Sequence, residues 1–277
     1  MTKMRYTVGI MGTGFVGGAL KRYFESSGIT PFTYDKGKNE GSIEEVNKAD
    51  VVFICVPTPY YIDEGGFDLS FVRSTIGSLQ PGKIVVLKST IIPGTTAMLQ
   101  EEYPQHKLMY NPEFLTEVTA DQDMKFPDRQ ILGVTPQSYN VSGDVLAMLP
   151  LAPFERVVPC TVAEMVKYAG NTWFAMKVSF SNQMYDLAQK MNVDYDEVKE
   201  CMAADKRIGR THLDIFHKGY RGYGGKCLPK DTRALIQLAA SKGVTLTLLV
   251  MAEEYNNTLV AAQGMDIQWH EGSPKKT

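Results

Sequence analysis

The chain has 277 residues, and its 29 Lys and Arg against 31 Asp and Glu give a formal net charge of −2 at pH 7. This near-neutral balance argues against a dedicated nucleic-acid binder, which usually carries a basic excess. No apolar run approaches the roughly 18 residues of a membrane span, and the N-terminus lacks the apolar core of a signal peptide. The length predicts about two domains, at roughly 150 residues for each domain.

The first half of the chain alternates short apolar runs with amphipathic stretches. The predicted strands are residues 6–11, 29–34, 51–55, 84–87, 108–110 and 130–134. The predicted helices between them are residues 17–26, 42–47, 68–79 and 94–101. Strands that alternate with helices pair in parallel, so this half predicts an α/β fold with a doubly wound parallel sheet.

The second half is predicted to be entirely helical. Thr161 and Glu164 form a capping-box pattern, which predicts the start of a helix that runs to about Met191. Further helices are predicted over residues 194–202, 231–242 and 246–262. We therefore expect a nucleotide-binding domain over residues 1–159, a helical domain over residues 160–265 and a disordered tail over residues 266–277.

A glycine-rich turn follows the first predicted strand. The segment Gly12–Gly17 reads Gly-Thr-Gly-Phe-Val-Gly, and Asp35 ends the second strand. Such glycines let the backbone approach a pyrophosphate at a helix N-terminus, and the acid accepts hydrogen bonds from a ribose, which favours NAD over NADP. Lys36 weakens that preference slightly. The candidate cofactor contacts are Gly12, Gly14, Phe15, Val16, Gly17, Asp35 and Lys36.

Polar residues follow the other predicted strands, at the sheet edge where ligands bind in such folds. They lie in Cys55–Pro59, Lys88–Thr90 and Asn111–Glu117. Glu113 and Glu117 are expected to lie one turn apart beside the cofactor. Exposed glutamates on a helix face are also ordinary, so these two alone indicate little.

Two features of the helical half suit catalysis. Lys167 and Asn171 lie at i and i+4 on one helix face, where they could bind a substrate hydroxyl. Cys227 lies in a glycine-rich loop before a predicted helix, between Lys226 and Lys230. A helix N-terminus and nearby cations lower a thiol pKa from its ordinary value of about 8.5.

The four cysteines, Cys55, Cys160, Cys201 and Cys227, are far apart and show no metal-binding spacing. We therefore expect no metal site, and the cysteine usage fits a reducing, cytoplasmic compartment.

Taken together, these motifs resemble the UDP-glucose/GDP-mannose dehydrogenases, a family that oxidises nucleotide sugars. The resemblance covers residues 5–260 and rests on eight ordered segments, which are Gly12–Gly17, Cys55–Pro59, Lys88–Thr90, Asn111–Glu117, Pro127–Arg129, Ala163–Asn171, Arg207–Gly209 and Gly224–Asp231. The Cys-Leu-Pro-Lys-Asp sequence is closer to the UDP-glucose and GDP-mannose branches than to the N-acetylmannosamine branch.

The resemblance implies a four-electron oxidation at the sugar C6, with NAD as cofactor, UDP-glucose as the expected substrate and Cys227 as the covalent nucleophile. It implies catalytic roles for Lys167, Asn171, Asp231, Glu117 and Thr90. It adds the cofactor contacts Val56, Pro57, Thr58, Ser89, Thr90, Glu117 and Lys230. The implied substrate contacts are Glu113, Phe114, Leu115, Lys167, Asn171, Arg207, Tyr223 and Gly224, with Arg207 reaching the substrate of a partner subunit. A homodimer on the long helix is expected.

The chain also departs from the family pattern. It ends before the family's further C-terminal α/β domain, Val118 replaces a glycine, and Arg221 and Lys226 alter the cysteine loop. Two alternatives remain open: a two-electron β-hydroxyacid dehydrogenase of the 6-phosphogluconate dehydrogenase type, and a non-catalytic NAD-binding or dimerisation module. Cys227 argues against the first, because a two-electron oxidation needs no thiol.

Overall fold

The computed structural model describes residues 6–61, 66–225 and 227–265. Its strands are β1 (Val8–Met11), β2 (Phe32–Asp35), β3 (Glu40–Gly41), β4 (Val51–Ile54), β5 (Tyr60–Tyr61), β6 (Gly66–Phe67), β7 (Ile84–Leu87), β8 (Lys107–Tyr110), β9 (Arg129–Val134), β10 (Phe154–Pro159), β11 (Phe216–His217) and β12 (Tyr220–Arg221). Its helices are α1 (Phe15–Ser26), α2 (Ile43–Val46), α3 (Ser70–Gly77), α4 (Thr95–Glu102), α5 (Ala120–Lys125), α6 (Ser142–Leu146), α7 (Cys160–Lys190), α8 (Tyr195–Ala203), α9 (Leu228–Ser241) and α10 (Thr247–Ala261).

Eight strands form one sheet in the order β10-β9-β8-β7-β4-β1-β2-β3. The pairs β1/β2, β1/β4, β4/β7, β7/β8 and β9/β10 are parallel. The pairs β2/β3 and β8/β9 are antiparallel. The predicted doubly wound sheet is thus confirmed, with one antiparallel strand added at one edge and an antiparallel junction before β9.

Alternate residues of the central strands supply two cores, one on each face of the sheet. On one face Ile10 and Phe53 pack with Leu20 and Phe24 of α1. Residues of the opposite parity, such as Val52 and Val85, pack on the other face with α2, α3 and α4. Helices on both faces bury the strands completely, which explains why β1, β4 and β7 are continuous apolar runs in the sequence.

The sequence did not indicate β3 or β10. β3 has only two residues, too few to show a pattern. β10 lies at the sheet edge, and its residues are half-buried or exposed, so Glu155 and Arg156 interrupt any apolar run. The first helix also begins at Phe15, two residues before its predicted start.

Contacts divide the chain within α7, between Lys167 and Tyr168, whereas the sequence places the domain boundary at residue 159. The sheet unit comprises the described parts of Met1–Pro59 and Phe67–Lys167. The helical unit comprises the described parts of Tyr60–Gly66 and Tyr168–Thr277. The first two turns of α7 therefore belong to the sheet unit.

The predicted capping box at the start of α7 is wrong. The helix already begins at Cys160, so Thr161 lies inside it. The carboxylate of Glu164 instead accepts hydrogen bonds from the backbone N–H groups of Gly94 (2.6 Å) and Thr96 (2.8 Å). Glu164 thus satisfies free N–H groups at the N-terminus of α4, because an acid so close to a helix start is favoured there.

The helical unit contains the rest of α7, α8, α9, α10 and the β11/β12 hairpin. The predicted helices over residues 194–202, 231–242 and 246–262 correspond to α8, α9 and α10 within three residues at each end. Within this unit, Ala175 and Val178 of α7 pack against Tyr223 and Leu228. The predicted tail over residues 266–277 lies outside the described residues.

Candidate active site

The glycine turn after β1 is closely packed against the neighbouring strand. Gly12 has φ of +87°, and a Cβ atom there would lie 2.7 Å from the Cys55 carbonyl oxygen. A Cβ atom on Gly17 would lie 1.8 Å from the Gly12 carbonyl oxygen. Only glycine fits at either position. Gly14, the N-cap of α1, instead faces open space, so the first N–H groups of α1 remain accessible to an anion.

The end of β2 carries the acid expected for ribose recognition. The Asp35 carboxylate accepts hydrogen bonds from the backbone N–H groups of Thr13 (2.7 Å) and Lys38 (3.1 Å). The exposed Lys36 follows Asp35 in the turn. An open glycine turn beside an acid at the second strand fits the pyrophosphate and adenosine ribose of NAD.

Two charged residues near Asp35 were not expected from the sequence. The Lys38 ammonium donates to the Thr13 carbonyl oxygen. Glu40 on β3 accepts from Thr13 Oγ1 (2.7 Å) and Lys21 Nζ (2.8 Å), and these bonds lower the pKa of Glu40 to about 2. A strand of two residues gives no sequence pattern that would have located Glu40 here.

Two segments expected to contact the cofactor are joined at the sheet edge. Ser89 Oγ, after β7, donates to the Val56 carbonyl oxygen (2.6 Å). Thr58 Oγ1 donates to the Thr90 carbonyl oxygen (2.7 Å). Pro57 lies between Val56 and Thr58 and is exposed. The structure therefore brings the residues after β4 and β7 together, on the same unit as the glycine turn.

A buried ion pair lies beyond β8. Lys167 Nζ donates to Glu113 Oε1 (2.7 Å) and to the Glu113 carbonyl oxygen (2.7 Å). The two side chains are only 7% and 10% exposed. Burial alone would raise the pKa of Glu113, but the Lys167 ammonium and the Leu115 N–H group more than offset it, so the pKa lies below its ordinary value. The Glu113 carboxylate is therefore charged near neutral pH.

The expected helical spacing of Glu113 and Glu117 is wrong. Residues 111–116 have no helical structure, and Glu117 lies in an exposed turn, whereas the Glu113 side chain is only 10% exposed. The turn is organised by Asp123, which accepts from the Thr116 N–H group (2.8 Å) and from Thr119 Oγ1 (2.9 Å). These bonds replace a helical turn, because a side-chain acceptor satisfies the backbone donor locally.

The neighbours of Glu113 form the remaining part of this region. The Arg129 guanidinium stacks over the Phe114 ring at 3.9 Å, and Lys167 Nζ lies 5.8 Å from the same ring centre. Leu115 packs against one core of the sheet unit. Phe114 thus contacts two cations, which favours this position of the ring.

Lys88 is a buried charged residue to which the sequence assigned no role. Its ammonium donates to Asn111 Oδ1 (2.6 Å), and Asn111 in turn donates to Gln130 Oε1 (3.1 Å) and the Ile131 carbonyl oxygen (2.8 Å). Burial lowers the pKa of Lys88 to about 8. Burial also raises the pKa of the nearby Cys55 thiol to about 12, so Cys55 is not a reactive thiolate.

We expect the stability of the protein to rise with pH between about 8 and 10.4 relative to a Lys88→Met variant. Unfolded Lys88 still holds its proton in this range while folded Lys88 loses it, so the unfolded state binds more protons. From the lowered pKa, the gain is up to about 3 kcal/mol. Urea unfolding at pH 7 and pH 10 measures it, and the variant removes the contribution of all other groups. A difference between the two proteins that is independent of pH would contradict the expectation.

In the helical unit, Asp231 joins two other predicted site residues. Asn171 Nδ2 donates to Asp231 Oδ2 (2.6 Å), and Lys230 Nζ donates to Asp231 Oδ1 (2.7 Å). Asp231 is only 1% exposed. The carboxylate is therefore fixed between an amide and an ammonium at the start of α9.

Cys227 is the N-cap residue of α9, with Pro229 in the first turn. Its side chain is exposed, and the Asp231 N–H group donates to the Cys227 carbonyl oxygen (2.9 Å). The predicted position of the thiol at a helix start is confirmed. Lys226, the other predicted neighbour, lies outside the described residues. A helix N-terminus stabilises a thiolate.

The other cysteines lie in different environments. Cys160 is buried at the start of α7, and burial raises the pKa of its thiol. Cys201 is exposed on α8. None of the four cysteines, all within the described residues, forms a disulfide.

Two predicted substrate contacts in the helical unit differ in exposure. The Arg207 side chain is 89% exposed and forms an ion pair with Asp205 (2.5 Å). Tyr223 is buried in the small core of this unit, and a Cβ atom on the next residue, Gly224, would lie 2.7 Å from the Tyr220 hydroxyl. Arg207 is thus displayed to solvent, whereas Tyr223 offers little side-chain surface.

Within residues 6–61, 66–225 and 227–265, no group of three His, Cys, Asp or Glu side chains could hold a metal ion. In the same part of the chain, every helix is too short or too polar to cross a bilayer.

Two family descriptions match the chain. Residues 34–147 match the NAD binding domain of the UDP-glucose/GDP-mannose dehydrogenase family. Residues 161–258 match the central domain of the same family. These matches confirm the expected family resemblance and the expected NAD cofactor.

Individual relatives agree. The chain is 35% identical over 236 residues to a UDP-glucose 6-dehydrogenase of Rhizobium meliloti, covering 80% of this chain and 53% of the relative. It is 38% identical over 233 residues to a UDP-glucose 6-dehydrogenase of Pseudomonas aeruginosa, covering 77% and 49%. The chain thus spans about half the length of these curated relatives.

Solved structures support the fold. A UDP-glucose dehydrogenase from Pyrobaculum islandicum superposes with a TM-score of 0.77 and 28% identity, over 95% of this chain and 73% of that one. A GDP-mannose dehydrogenase from Pseudomonas aeruginosa gives a TM-score of 0.63 and 25% identity, over 92% and 69%.

Proposed function

The chain belongs to the UDP-glucose/GDP-mannose dehydrogenase family, and we propose that it performs an NAD-dependent four-electron oxidation of a nucleotide sugar at C6. UDP-glucose is the proposed substrate, because relatives that bear the name UDP-glucose 6-dehydrogenase are 35% and 38% identical to the chain. The product is the corresponding uronate.

One observation carries this proposal: Cys227 caps α9, and one turn later Asp231 is held by Asn171 and Lys230. A thiol at a helix start is suited to attack an aldehyde carbon, and the fixed carboxylate is suited to a proton or a water. A two-electron β-hydroxyacid dehydrogenase has no use for such a thiol, so this pairing favours the four-electron reaction.

The sheet unit holds the cofactor in this proposal. The N-terminus of α1, opened by Gly12, Gly14 and Gly17, binds the pyrophosphate, and Asp35 accepts hydrogen bonds from the adenosine ribose. When bound, NAD supplies the acceptor for the two hydrides that the reaction releases. Per sugar, an alcohol and one water become a carboxylate, with release of two NADH and three protons.

Cys227 and its neighbours carry the covalent part. The Cys227 thiolate adds to the C6 aldehyde formed in the first oxidation, giving a thiohemiacetal. Its oxidation leaves a thioester, and water hydrolyses the carbon–sulfur bond to release the uronate and the thiol. Following the family roles, Lys167, Asn171 and Asp231 hold the reacting oxygen and its water, while Thr90 and Glu117 position water or transfer a proton.

The test of this function is NADH release with a panel of UDP- and GDP-sugars, with the uronate quantified by mass spectrometry. Two NADH per sugar with UDP-glucose would support the proposal. One NADH per sugar would favour a two-electron dehydrogenase, and no turnover with any sugar would favour a non-catalytic module.

Replacing Asp35 by alanine is expected to weaken NAD binding by about 1–3 kcal/mol, because the ribose hydroxyls lose a charged, half-buried hydrogen-bond acceptor. Calorimetric titration of NAD measures the change. Asp50→Ala is the matched control, since the Asp50 carboxylate accepts the N–H (2.8 Å) and hydroxyl (2.7 Å) of Thr7 much as Asp35 does those of Thr13. Equal losses in both variants, or tighter binding of NADP than of NAD by the wild type, would contradict the assignment.

We also propose a homodimer that forms on the exposed face of α7. Trp173, Phe180 and Leu187 are 58%, 50% and 53% exposed, and their spacing of seven residues places them on one face of α7. Met191, 63% exposed, directly follows the helix. Several large apolar side chains exposed on one helix face are typical of an interface.

Phe180→Asp is expected to convert the dimer into a monomer, because a charge would be buried in the apolar interface. Light scattering at micromolar concentration measures the mass. Phe71→Asp is the control, since Phe71 is equally exposed (49%) but lies on α3 of the sheet unit. A monomeric wild type, or a dimeric Phe180→Asp variant, would contradict the proposal.

Because the proposed nucleophile must remain a thiol, we place the reaction in a reducing, cytoplasmic compartment.

A further inference from the structure

The backbone that leads into the cysteine loop is held by side-chain amides. The Tyr223 N–H group donates to Asn256 Oδ1 (2.7 Å), and Asn256 Nδ2 donates back to the Tyr223 carbonyl oxygen (2.9 Å). Gln263, just after α10, makes the same two bonds with Arg221, at 2.9 Å from the N–H group and 3.0 Å to the carbonyl oxygen. Each amide thus pairs with a backbone residue as a neighbouring strand would.

Asn256 lies directly against this backbone and is only 3% exposed. Gly222 has φ of +89°, and a Cβ atom there would lie 2.7 Å from Asn256 Oδ1. Water therefore has little room to replace the amide. Loss of the Asn256 side chain would leave the donor and acceptor of Tyr223 unsatisfied inside the unit.

The Arg221 side chain anchors the same segment to α7. Its guanidinium donates to Asn182 Oδ1 (3.1 Å) and to Asp186 Oδ1 (2.6 Å). Asp186 also accepts from the Tyr255 hydroxyl of α10 (3.1 Å). The segment is thus tied to both α7 and α10, and its position depends on neither helix alone.

Both ends of the cysteine loop are fixed in one place. The Tyr223 ring and Leu228 pack in the same small core with Ala175 and Val178 of α7. Leu228 is the first residue of α9 and directly follows Cys227. Because Tyr223 and Leu228 share this core, a shift of Tyr223 would displace Leu228 and with it Cys227.

From this geometry we infer that Asn256 is a positioning residue for the Cys227 thiol, with Gln263 and Arg221 supporting the same segment. Asn256 acts through the backbone of Tyr223. It fixes the orientation of the thiol at the N-terminus of α9. This inference rests on the proposed function of Cys227 as the nucleophile.

The test compares the alkylation of Cys227 by iodoacetamide at pH 7 with that of Cys201 in the same molecule, by peptide mass spectrometry. Cys201 is also exposed, so the ratio cancels changes in reagent concentration, and circular dichroism identifies the variants that are folded and can be compared. In Asn256→Ala we expect the ratio to fall by about threefold or more, because the thiol is no longer held in one orientation toward the N-terminus of α9. Where the wild type turns over UDP-glucose, kcat should fall by about tenfold or more with KM for NAD unchanged.

Asn47→Ala is the matched control, since Asn47 also bridges two backbone groups, the Ser78 carbonyl oxygen (3.2 Å) and the Gln80 N–H group (2.8 Å), but in the sheet unit. Its ratio should equal that of the wild type. Gln263→Ala, at an exposed position, should shift the ratio in the same direction as Asn256→Ala and serves if that variant does not fold.

An unchanged or raised ratio in the folded Asn256 variant would overturn the inference, as would a wild-type ratio near one. Alkylation does not depend on turnover, so an inactive wild type would count against the proposed reaction alone.

Discussion

Replacing Cys227 by serine is expected to lower uronate formation by roughly a thousandfold or more while leaving NAD affinity unchanged. A serine hydroxyl at the start of α9 is not ionised near neutral pH, so it captures the aldehyde poorly. The first oxidation needs no thiol, so aldehyde should accumulate, or one NADH should be released per sugar. Product mass spectrometry and NADH counting measure both quantities.

Cys201→Ser is the control, because Cys201 is the other exposed cysteine and lies on α8, outside the glycine loop. It should form uronate at the wild-type rate. Cys55→Ser and Cys160→Ser should also retain the chemistry. Uronate formation by Cys227→Ser at the wild-type rate would exclude the thioester mechanism for this chain.

Replacing Lys167 by methionine is expected to destabilise the protein by about 3–5 kcal/mol, because the Glu113 carboxylate would remain buried without its partner. The double variant Glu113→Gln, Lys167→Met should recover much of this loss, since neither charge then remains. Urea unfolding measures the free energies. The exposed pair Arg22–Asp121 provides a control, and Arg22→Met should cost only about 0–1 kcal/mol.

The contribution of the Glu113–Lys167 ion pair to the free energy of unfolding depends on pH. The folded pKa of Glu113 is lowered, so its contribution is fully present above the unfolded value of about 4.3 and is lost as the pH falls through the folded pKa. The difference between wild type and the double variant should therefore shrink only in acid. A Lys167→Met variant as stable as wild type at pH 7 would contradict the assignment of a buried ion pair.

The sequence predicted those features that local patterns encode. β1, β4 and β7 are buried on both faces and appear as continuous apolar runs. The 31-residue helix α7 was expected to within one residue at each end, because Gly170 is its only glycine and it contains no proline. The position of Cys227 followed from a glycine loop before Pro229.

Long-range partners could not be predicted in this way. The sequence around Glu164 suggested a local cap, but its partners on α4 are about 70 residues away in the chain. The partner of Asn256 is 33 residues away, and Lys88 at the end of β7 contacts Asn111 at the end of the neighbouring strand β8. An edge strand such as β10 has no buried face to impose an apolar pattern. These contacts depend on the assembled fold, which spacing along the chain does not reveal.

The first two turns of α7 belong to the sheet unit, which limits where relatives could exchange their two halves. Glu164 closes the N-terminus of α4, and Lys167 neutralises Glu113, so both residues complete the sheet unit although they lie on the long helix. A recombination event that exchanged whole halves at residue 159 would separate each of these residues from its partner. Exchange between relatives therefore preserves the interactions of the sheet unit only when residues 160–167 travel with the nucleotide-binding half.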